Sequence, residues 1–190
     1  MANPEHIPEL DSFDELTVKL YRSGLSIAAF ALAWAGVLQL LIAINALDSN
    51  TPWVHRAWIL CLIGTAGAIT NMHLYDKRIR WFIGISGWIG AALLAGSGGI
   101  ESRWFYTAGL GFLFVSLSAY ALKEQFCFRI PGLRLVPLLL ATSLIPLLTG
   151  HPAIAGLLLL CSGLIYTALV IAKWRMPLHF DVGNKSQYQL

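Results

Sequence analysis

Six stretches of the chain carry no Asp, Glu or Lys over lengths close to that of a membrane crossing. A helix needs ~20 apolar residues, each rising ~1.5 Å, to cross the hydrocarbon of a bilayer. Only 12% of the residues are charged and 57% are hydrophobic, whereas soluble domains carry about 25% charged residues. This excludes a soluble enzyme, a disordered chain and a disulfide scaffold. The sequence predicts an all-α integral membrane bundle of six transmembrane helices, covering residues 24–47, 54–74, 81–100, 104–122, 133–149 and 153–172.

The distribution of basic residues predicts the orientation of these spans. With six crossings, eleven of the thirteen Lys and Arg residues lie on one side, and only Arg56 and Arg103 lie on the other. Cytoplasmic loops are enriched in Lys and Arg, so both termini are predicted to be cytoplasmic, in a bacterial inner membrane. Eight cations are expected to set the topology and to contact lipid headgroups: Lys77, Arg78, Arg80, Lys123, Arg129, Arg134, Lys173 and Arg175.

The fifth span is short, and Pro137 and Pro146 each remove a backbone donor, so a kinked helix or a re-entrant segment is an alternative. A re-entrant segment would place basic residues more evenly on the two sides, and charge counting therefore favours six crossings.

The predicted domains are a cytoplasmic tail (residues 1–23), the membrane domain (residues 24–172) and a second cytoplasmic tail (residues 173–190). The first tail contains several acidic residues, unlike a cleaved signal peptide. Ser12 and Glu15 form a capping-box pattern, followed by apolar residues at helical spacing. This pattern predicts a short amphipathic helix along the cytoplasmic interface; a loosely ordered tail is the alternative.

The third span carries small residues every four positions, at Gly87, Ala91, Ala95 and Gly99. Such a row lets another helix approach closely. It is typical of a buried helix at the centre of a bundle, with the fourth span as its neighbour. A homodimer contact or a sliding gate is the functional alternative.

Reactive side chains are densest on the predicted cytoplasmic face. His73 follows the second span, and Glu124 and Cys127 follow the fourth, on one helical face with Tyr120 and Lys123. One interpretation is a cytoplasmic pocket, with His73 as acid/base, Glu124 as base and Cys127 as an activated thiol. The favoured interpretation is that the cations set topology, His73 caps a helix end and Cys127 is inert, because the spacing matches no catalytic or metal motif.

The remaining candidates do not predict a cofactor. Two axial haem ligands would require a histidine pair, and His55 and His151 are more simply interfacial residues. Three cysteines without CxxC spacing predict neither disulfides nor zinc. The net charge of +3 gives no reason to expect a nucleic-acid partner. The expected partners are membrane lipids and a second copy or another membrane protein.

Three segments together resemble a family of small bacterial and cyanobacterial integral membrane proteins of unknown function. They read HLYDK at residues 73–77, KEQFCF at 123–128 and KWRMP at 173–177. The resemblance implies a bacterial membrane protein and brings no activity, cofactor or catalytic residue. The first function class to consider is a non-enzymatic scaffold, assembly or lipid-organising protein. The alternatives are a facilitator or channel for a small neutral solute, suggested by embedded Ser, Thr and Asn, and a membrane enzyme or thiol sensor.

Overall fold

The computed structural model describes residues 10–96 and 103–182. These residues form helices and turns, with no strand in the described ranges. The helices are α1 (Ser12–Ala43), α2 (Pro52–Thr70), α3 (Lys77–Gly96), α4 (Arg103–Glu124), α5 (Val136–Thr149), α6 (Pro152–Trp174) and the single-turn α7 (His179–Val182), and a 3₁₀ turn (Leu133–Leu135) precedes α5.

Four of these helices, α1, α3, α4 and α6, are long and apolar enough to cross a membrane. These four helices, α2 and α5 overlap the six predicted spans, one helix to each span. The all-helical membrane class is therefore confirmed.

The predicted amphipathic segment and the first predicted span form one continuous helix. α1 runs without interruption from Ser12 to Ala43, for 32 residues, which corresponds to about 48 Å. It exceeds the ~30 Å hydrocarbon thickness, so one end extends beyond the apolar layer. The apolar residues of the first turns are the beginning of the first long helix, because nothing in the sequence breaks the helix there.

The capping box at the start of α1 lies one residue earlier than predicted. Asp11 is the N-cap residue; its side chain accepts a hydrogen bond from the backbone N–H of Asp14 at 2.8 Å. The Asp14 carboxylate in turn accepts from the backbone N–H of Asp11 at 3.1 Å. The Ser12–Glu15 assignment is wrong because a carboxylate pair in the adjacent register provides the same reciprocal bonds.

Helix α1 packs along both α2 and α6, while α4 packs on α3 and α5 and also contacts α2, and α5 packs on α6. The prediction that the third helix is central is wrong, since α3 lies at the edge and is the least buried of the four long apolar helices. Its predicted neighbour, α4, is confirmed.

Glycines allow the backbones of α1 and its neighbours to approach closely. A Cβ atom at Gly24 would lie 2.6 Å from the backbone nitrogen of Ala68 in α2, and one at Gly163 would lie 2.4 Å from that of Ala33 in α1. Side chains cannot fit at these distances. Close backbone packing replaces the hydrophobic driving force that is missing between helices in lipid.

The small-residue row of α3 only partly coincides with its packing face. Gly87 is buried, Ala91 is half-buried and Ala95 is exposed; Gly99 lies outside the described residues. The contact with α4 includes Gly90, where a Cβ atom would lie 2.8 Å from the backbone nitrogen of Leu113. The buried face of α3 is thus rotated from the four-residue row.

Helix α5 is continuous despite its two prolines. Pro137 lies in the first turn, where no intrahelical N–H bond is lost, and Pro146 lies near the other end. Gly150, with φ of +76°, ends the helix in the left-handed conformation, which glycine adopts without steric cost. The turn at Gly150 leads directly into α6.

Candidate functional site

The first half of α1 and the C-terminal ends of α4 and α6 meet near one end of the bundle and bury a group of charged side chains. Tyr21, Arg22, Glu124, Lys173 and Asp181 form what we call the ionic cluster. Arg22 and Lys173 are each 1% exposed and Glu124 is 3% exposed. Burial of this extent is tolerated only when charges are paired and hydrogen-bonded.

Glu124 joins three helices through its two carboxylate oxygens. Oε1 accepts a hydrogen bond from the Tyr21 hydroxyl at 2.7 Å and lies 3.3 Å from Nζ of Lys123. Oε2 accepts from Nζ of Lys173 at 2.9 Å. The carboxylate of α4 therefore binds side chains of both α1 and α6, and this cross-link fixes the ends of the three helices relative to one another.

Asp181 attaches the segment after α6 to the same cluster. Its Oδ1 lies 2.5 Å from Nζ of Lys173, and its Oδ2 lies 2.6 Å from Nε of Arg22. The Arg22 guanidinium also donates to the backbone carbonyls of Met176 at 2.8 Å and Pro177 at 3.1 Å. Arg22 is thus surrounded by acceptors from residues 176–181.

Aromatic rings shield the cations of the cluster. Nζ of Lys173 lies 5.1 Å from the ring centroid of Tyr21 and 5.5 Å from that of Phe128, while Nζ of Lys123 lies 4.8 Å from Tyr21. A cation over an aromatic face is stabilised by the quadrupole of the ring. Lys123 is the most exposed of these cations, at 22%, and marks the solvent-facing border of the cluster.

Two further tyrosines lie behind the cluster. The Tyr120 ring packs edge-on against Tyr21, with the centroids 5.9 Å apart, and its buried hydroxyl has no hydrogen-bond partner among the described residues. The Tyr166 hydroxyl donates to the backbone carbonyl of Leu117. The cluster is therefore backed by a layer of aromatic side chains with one unused hydroxyl.

The three candidate catalytic residues are in different environments. Glu124 is saturated by the partners named above. Nε2 of His73 lies 3.0 Å from the Thr17 hydroxyl, and this contact ties the segment after α2 to α1. Cys127 is exposed, in the turn beyond the end of α4, so it does not share the helical face of Glu124 that the sequence predicted.

Lys173 differs from the expectation that it contacts headgroups, because two carboxylates draw its ammonium into the protein. Of the other seven predicted topology residues, Arg80 and Lys123 are half-buried. The rest are exposed: Lys77, Arg78, Arg129, Arg134 and Arg175.

Sequence reasoning did not select Tyr21, Arg22 and Asp181 as site residues. Arg22 was counted only as a topology cation, although it is the most buried charged residue of α1. One available signal was charge complementarity: Arg22, Glu124 and Lys173 all fall at span ends on the same predicted side. Opposite charges at one end of a helix bundle tend to pair, because isolated charges there are poorly solvated.

The hydroxyl groups within the helices do not point to a shared polar path. Most donate to a carbonyl three or four residues earlier in their own helix, at 2.7 to 2.9 Å: Thr65, Thr70, Thr142, Ser143, Ser162 and Thr167. Ser116 is an exception, since it donates across to the carbonyl of Ile83 in α3 at 2.8 Å. The O–H donors of these side chains are therefore already bound to backbone carbonyls.

No group of three His, Cys, Asp or Glu side chains suited to a metal ion occurs within residues 10–96 and 103–182. His55 and His151 are both exposed. Neither contributes to the ionic cluster, whose chemistry is that of paired cations and carboxylates.

Comparison with known proteins agrees with the membrane fold. A bacterial protein from Haemophilus influenzae, named "Uncharacterized protein", is 30% identical over 193 aligned residues that span the whole of both chains. No solved structure matches the chain. Residues 68–190, which include Glu124, Lys173 and Asp181, match the family described as "Uncharacterized integral membrane protein (DUF2301)". The chain belongs to this family of integral membrane proteins.

Proposed function

We propose that the protein is a six-span scaffold, assembly or lipid-organising protein of the bacterial inner membrane, without enzymatic activity, with both termini in the cytoplasm. The observation that carries the proposal is that the buried charged side chains of the described bundle join its own helices. Glu124, one of the three catalytic candidates, binds Tyr21, Lys123 and Lys173.

The six-span topology is supported by α2 and α5, which pack among the longer helices. Helix α5 and its 3₁₀ turn cover Leu133–Thr149, about 27 Å of helix from their rises per residue. Short connections join α5 to α6, as expected for antiparallel neighbours. Positive charge is concentrated at the end of the bundle that contains the ionic cluster, and this favours a cytoplasmic location for that end.

The structure offers less support for the facilitator and enzyme alternatives. A solute path needs polar groups facing a common channel, whereas the hydroxyl donors of the helices bind their own backbones. An enzyme needs a nucleophile or base within hydrogen-bond reach of a partner and a substrate. Cys127 is exposed in a turn, its backbone N–H donates to the backbone carbonyl of Glu124 at 3.0 Å, and the Glu124 carboxylate is occupied by Tyr21 and Lys173.

The least buried long helix provides a surface suited to lateral contacts. Trp81, Phe82 and Trp88 of α3 are each more than half exposed. In a membrane these rings contact lipid or a neighbouring protein. Aromatic side chains supply large contact area with few rotatable bonds, and this supports the scaffold proposal.

The topology is tested by labelling thiols with a membrane-impermeant maleimide in spheroplasts. Cys127 is the exposed cysteine outside the long helices, and Cys61 and Cys161 lie within α2 and α6. We expect Cys127 to react only after permeabilisation, and a cysteine introduced at Asn50 to react before it. Labelling of Cys127 in intact spheroplasts would reverse the orientation. The Cys127→Ser variant controls for the other thiols.

The scaffold role is tested by the native mass of the protein, extracted at natural abundance in native nanodiscs. We expect a discrete, reproducible excess over 20.8 kDa, and we expect Trp88→Ala to reduce it. Leu164→Ala is the matched control, because Leu164 is similarly exposed on α6. A bare monomer would contradict the scaffold role, and solute flux into liposomes would then be measured for the facilitator alternative.

A further inference from the structure

We propose that Arg22 and Lys173 form a binding site for a phosphate group, that of an anionic lipid, and that Asp181 occupies this site as an internal substitute. The segment that carries Asp181, residues 175–182, is called the C-terminal strap. In this proposal the strap and the lipid phosphate compete for the same two cations. The inference goes beyond the scaffold role and does not depend on it.

The donor arrangement around Asp181 is the one that phosphate takes in proteins. Nε and Nη2 of Arg22 both approach Oδ2 at 2.6 Å, and Nζ of Lys173 approaches Oδ1 at 2.5 Å. A guanidinium fork with an adjacent ammonium recognises carboxylate and phosphate alike. The two cations thus bracket an anion from two helices, α1 and α6.

The strap is held mainly by this charged contact. Its helix α7 has only four residues, and Val182 is the one apolar side chain of the strap that is buried. Arg22 also donates to the backbone carbonyls of Met176 and Pro177 in the strap. A short segment anchored by ion pairs opens more readily when another anion compensates the cations.

The site lies close to the level at which anionic lipid headgroups are expected. The cluster lies where α4 and α6 end, with Lys123 partly exposed at its border and Trp174 exposed beside it. The Trp174 indole donates to the Ser26 hydroxyl at 3.0 Å, and tryptophan is typical of the headgroup level. The two cations and two carboxylates of the cluster balance, and Lys123 at its border adds one positive charge that attracts anions.

The test measures strap release in the full-length protein. Val182, 2% exposed, is replaced by cysteine in a Cys61→Ser/Cys127→Ser/Cys161→Ser background, and the thiol is labelled with an uncharged maleimide. The protein is placed in vesicles of phosphatidylcholine, of phosphatidylcholine and phosphatidylglycerol in equal parts, or of phosphatidylcholine with added inorganic phosphate.

We expect phosphatidylglycerol to raise the labelling rate severalfold, because the lipid phosphate displaces Asp181 and frees the strap. A comparable rise with inorganic phosphate alone would assign the site to soluble phosphate and overturn the lipid as its source. Equal labelling in all three conditions would overturn the site itself.

Variants separate binding from general loosening of the fold. Asp181→Asn removes the competing anion, so its strap should label rapidly in phosphatidylcholine and gain little from phosphatidylglycerol. Lys19→Gln is the matched control, because Lys19 forms an exposed ion pair with Glu15 on the same helix. It should respond like the parent, and loss of the response in Lys19→Gln would indicate a general surface-charge effect and contradict the assigned site.

Discussion

The two ends of the bundle are held together by different interactions. At one end, buried ion pairs join α1, α4, α6 and the C-terminal strap. At the other, aromatic rings pack in a row, with Trp34 5.9 Å from Trp53 and the Arg56 guanidinium 4.5 Å from the Trp53 centroid. Among the residues described there, no ion pair forms between side chains.

The two ends differ in how strictly they determine the arrangement of the helices. A buried ion pair gains little net stability over an apolar contact, but it is costly to break without a replacement charge, so the charged end resists a change in the arrangement of the helices. Aromatic contacts at a lipid interface are individually weak and permit small displacements. The charged end therefore fixes the order of the helices, and the aromatic end adapts to its surroundings.

The largest effect is expected from Glu124→Ala. The change leaves the Tyr21 hydroxyl without its acceptor and removes one of the two carboxylates that compensate Lys173, at a cost of about 3–5 kcal/mol in free energy of unfolding. Thermal unfolding in nanodiscs, followed by tryptophan fluorescence, measures it. Glu15→Ala removes only the exposed pair with Lys19 and should cost less than about 1 kcal/mol. Equal losses in the two variants would remove the distinction between buried and exposed charge.

An intermediate effect is expected between the two ends, where backbones touch. Gly163→Ala places a Cβ atom 2.4 Å from the backbone nitrogen of Ala33, so α1 and α6 must move apart, at a cost of about 1–3 kcal/mol. In Gly84→Ala the nearest atom is Cγ2 of Ile69 at 3.7 Å. This matched change should stabilise the protein by roughly 0.5–1 kcal/mol, since alanine favours a helix. The same unfolding experiment measures the loss of stability in Gly163→Ala and the gain in Gly84→Ala. A Gly163→Ala variant as stable as the parent would mean that α1 and α6 are less closely packed.

The smallest effect is expected from Arg56→Ala at the aromatic end. The cation lies over the exposed ring of Trp53, and such contacts are worth about 0.5–1 kcal/mol. The melting temperature should therefore change little. A loss as large as that of Glu124→Ala would show that the two ends are equally constrained.

Much of the fold could be predicted from the sequence, because helices in lipid must satisfy their own backbone bonds and apolar length reveals them. Each of the six predicted spans overlaps a helix. The beginning of α1 was misjudged because residues 12–20 have an amphipathic pattern, which describes a face and not a bend. The packing face of α3 does not follow from the sequence for a related reason: Gly84, Gly87, Gly90 and Ala91 are all small, and the positions of α2 and α4 decide which of them are buried.

The ionic cluster could be predicted only in part. Glu124 was selected from its local sequence, but its partners Tyr21 and Lys173 come from helices far away along the chain. Asp181 belongs to a polar segment after Pro177, where no periodicity indicates a contact. Pairing between distant helices depends on the order in which the helices pack in the bundle, which hydropathy does not encode.

The contact between Arg22 and Asp181 also has a consequence for biosynthesis. The two residues are separated by 159 positions, so at about 5–20 residues per second the ribosome needs roughly 8–30 s to provide the carboxylate after the guanidinium. The other helices must enter the membrane during that time. The bond between Arg22 and Asp181 can therefore form only after the intervening helices have been synthesised.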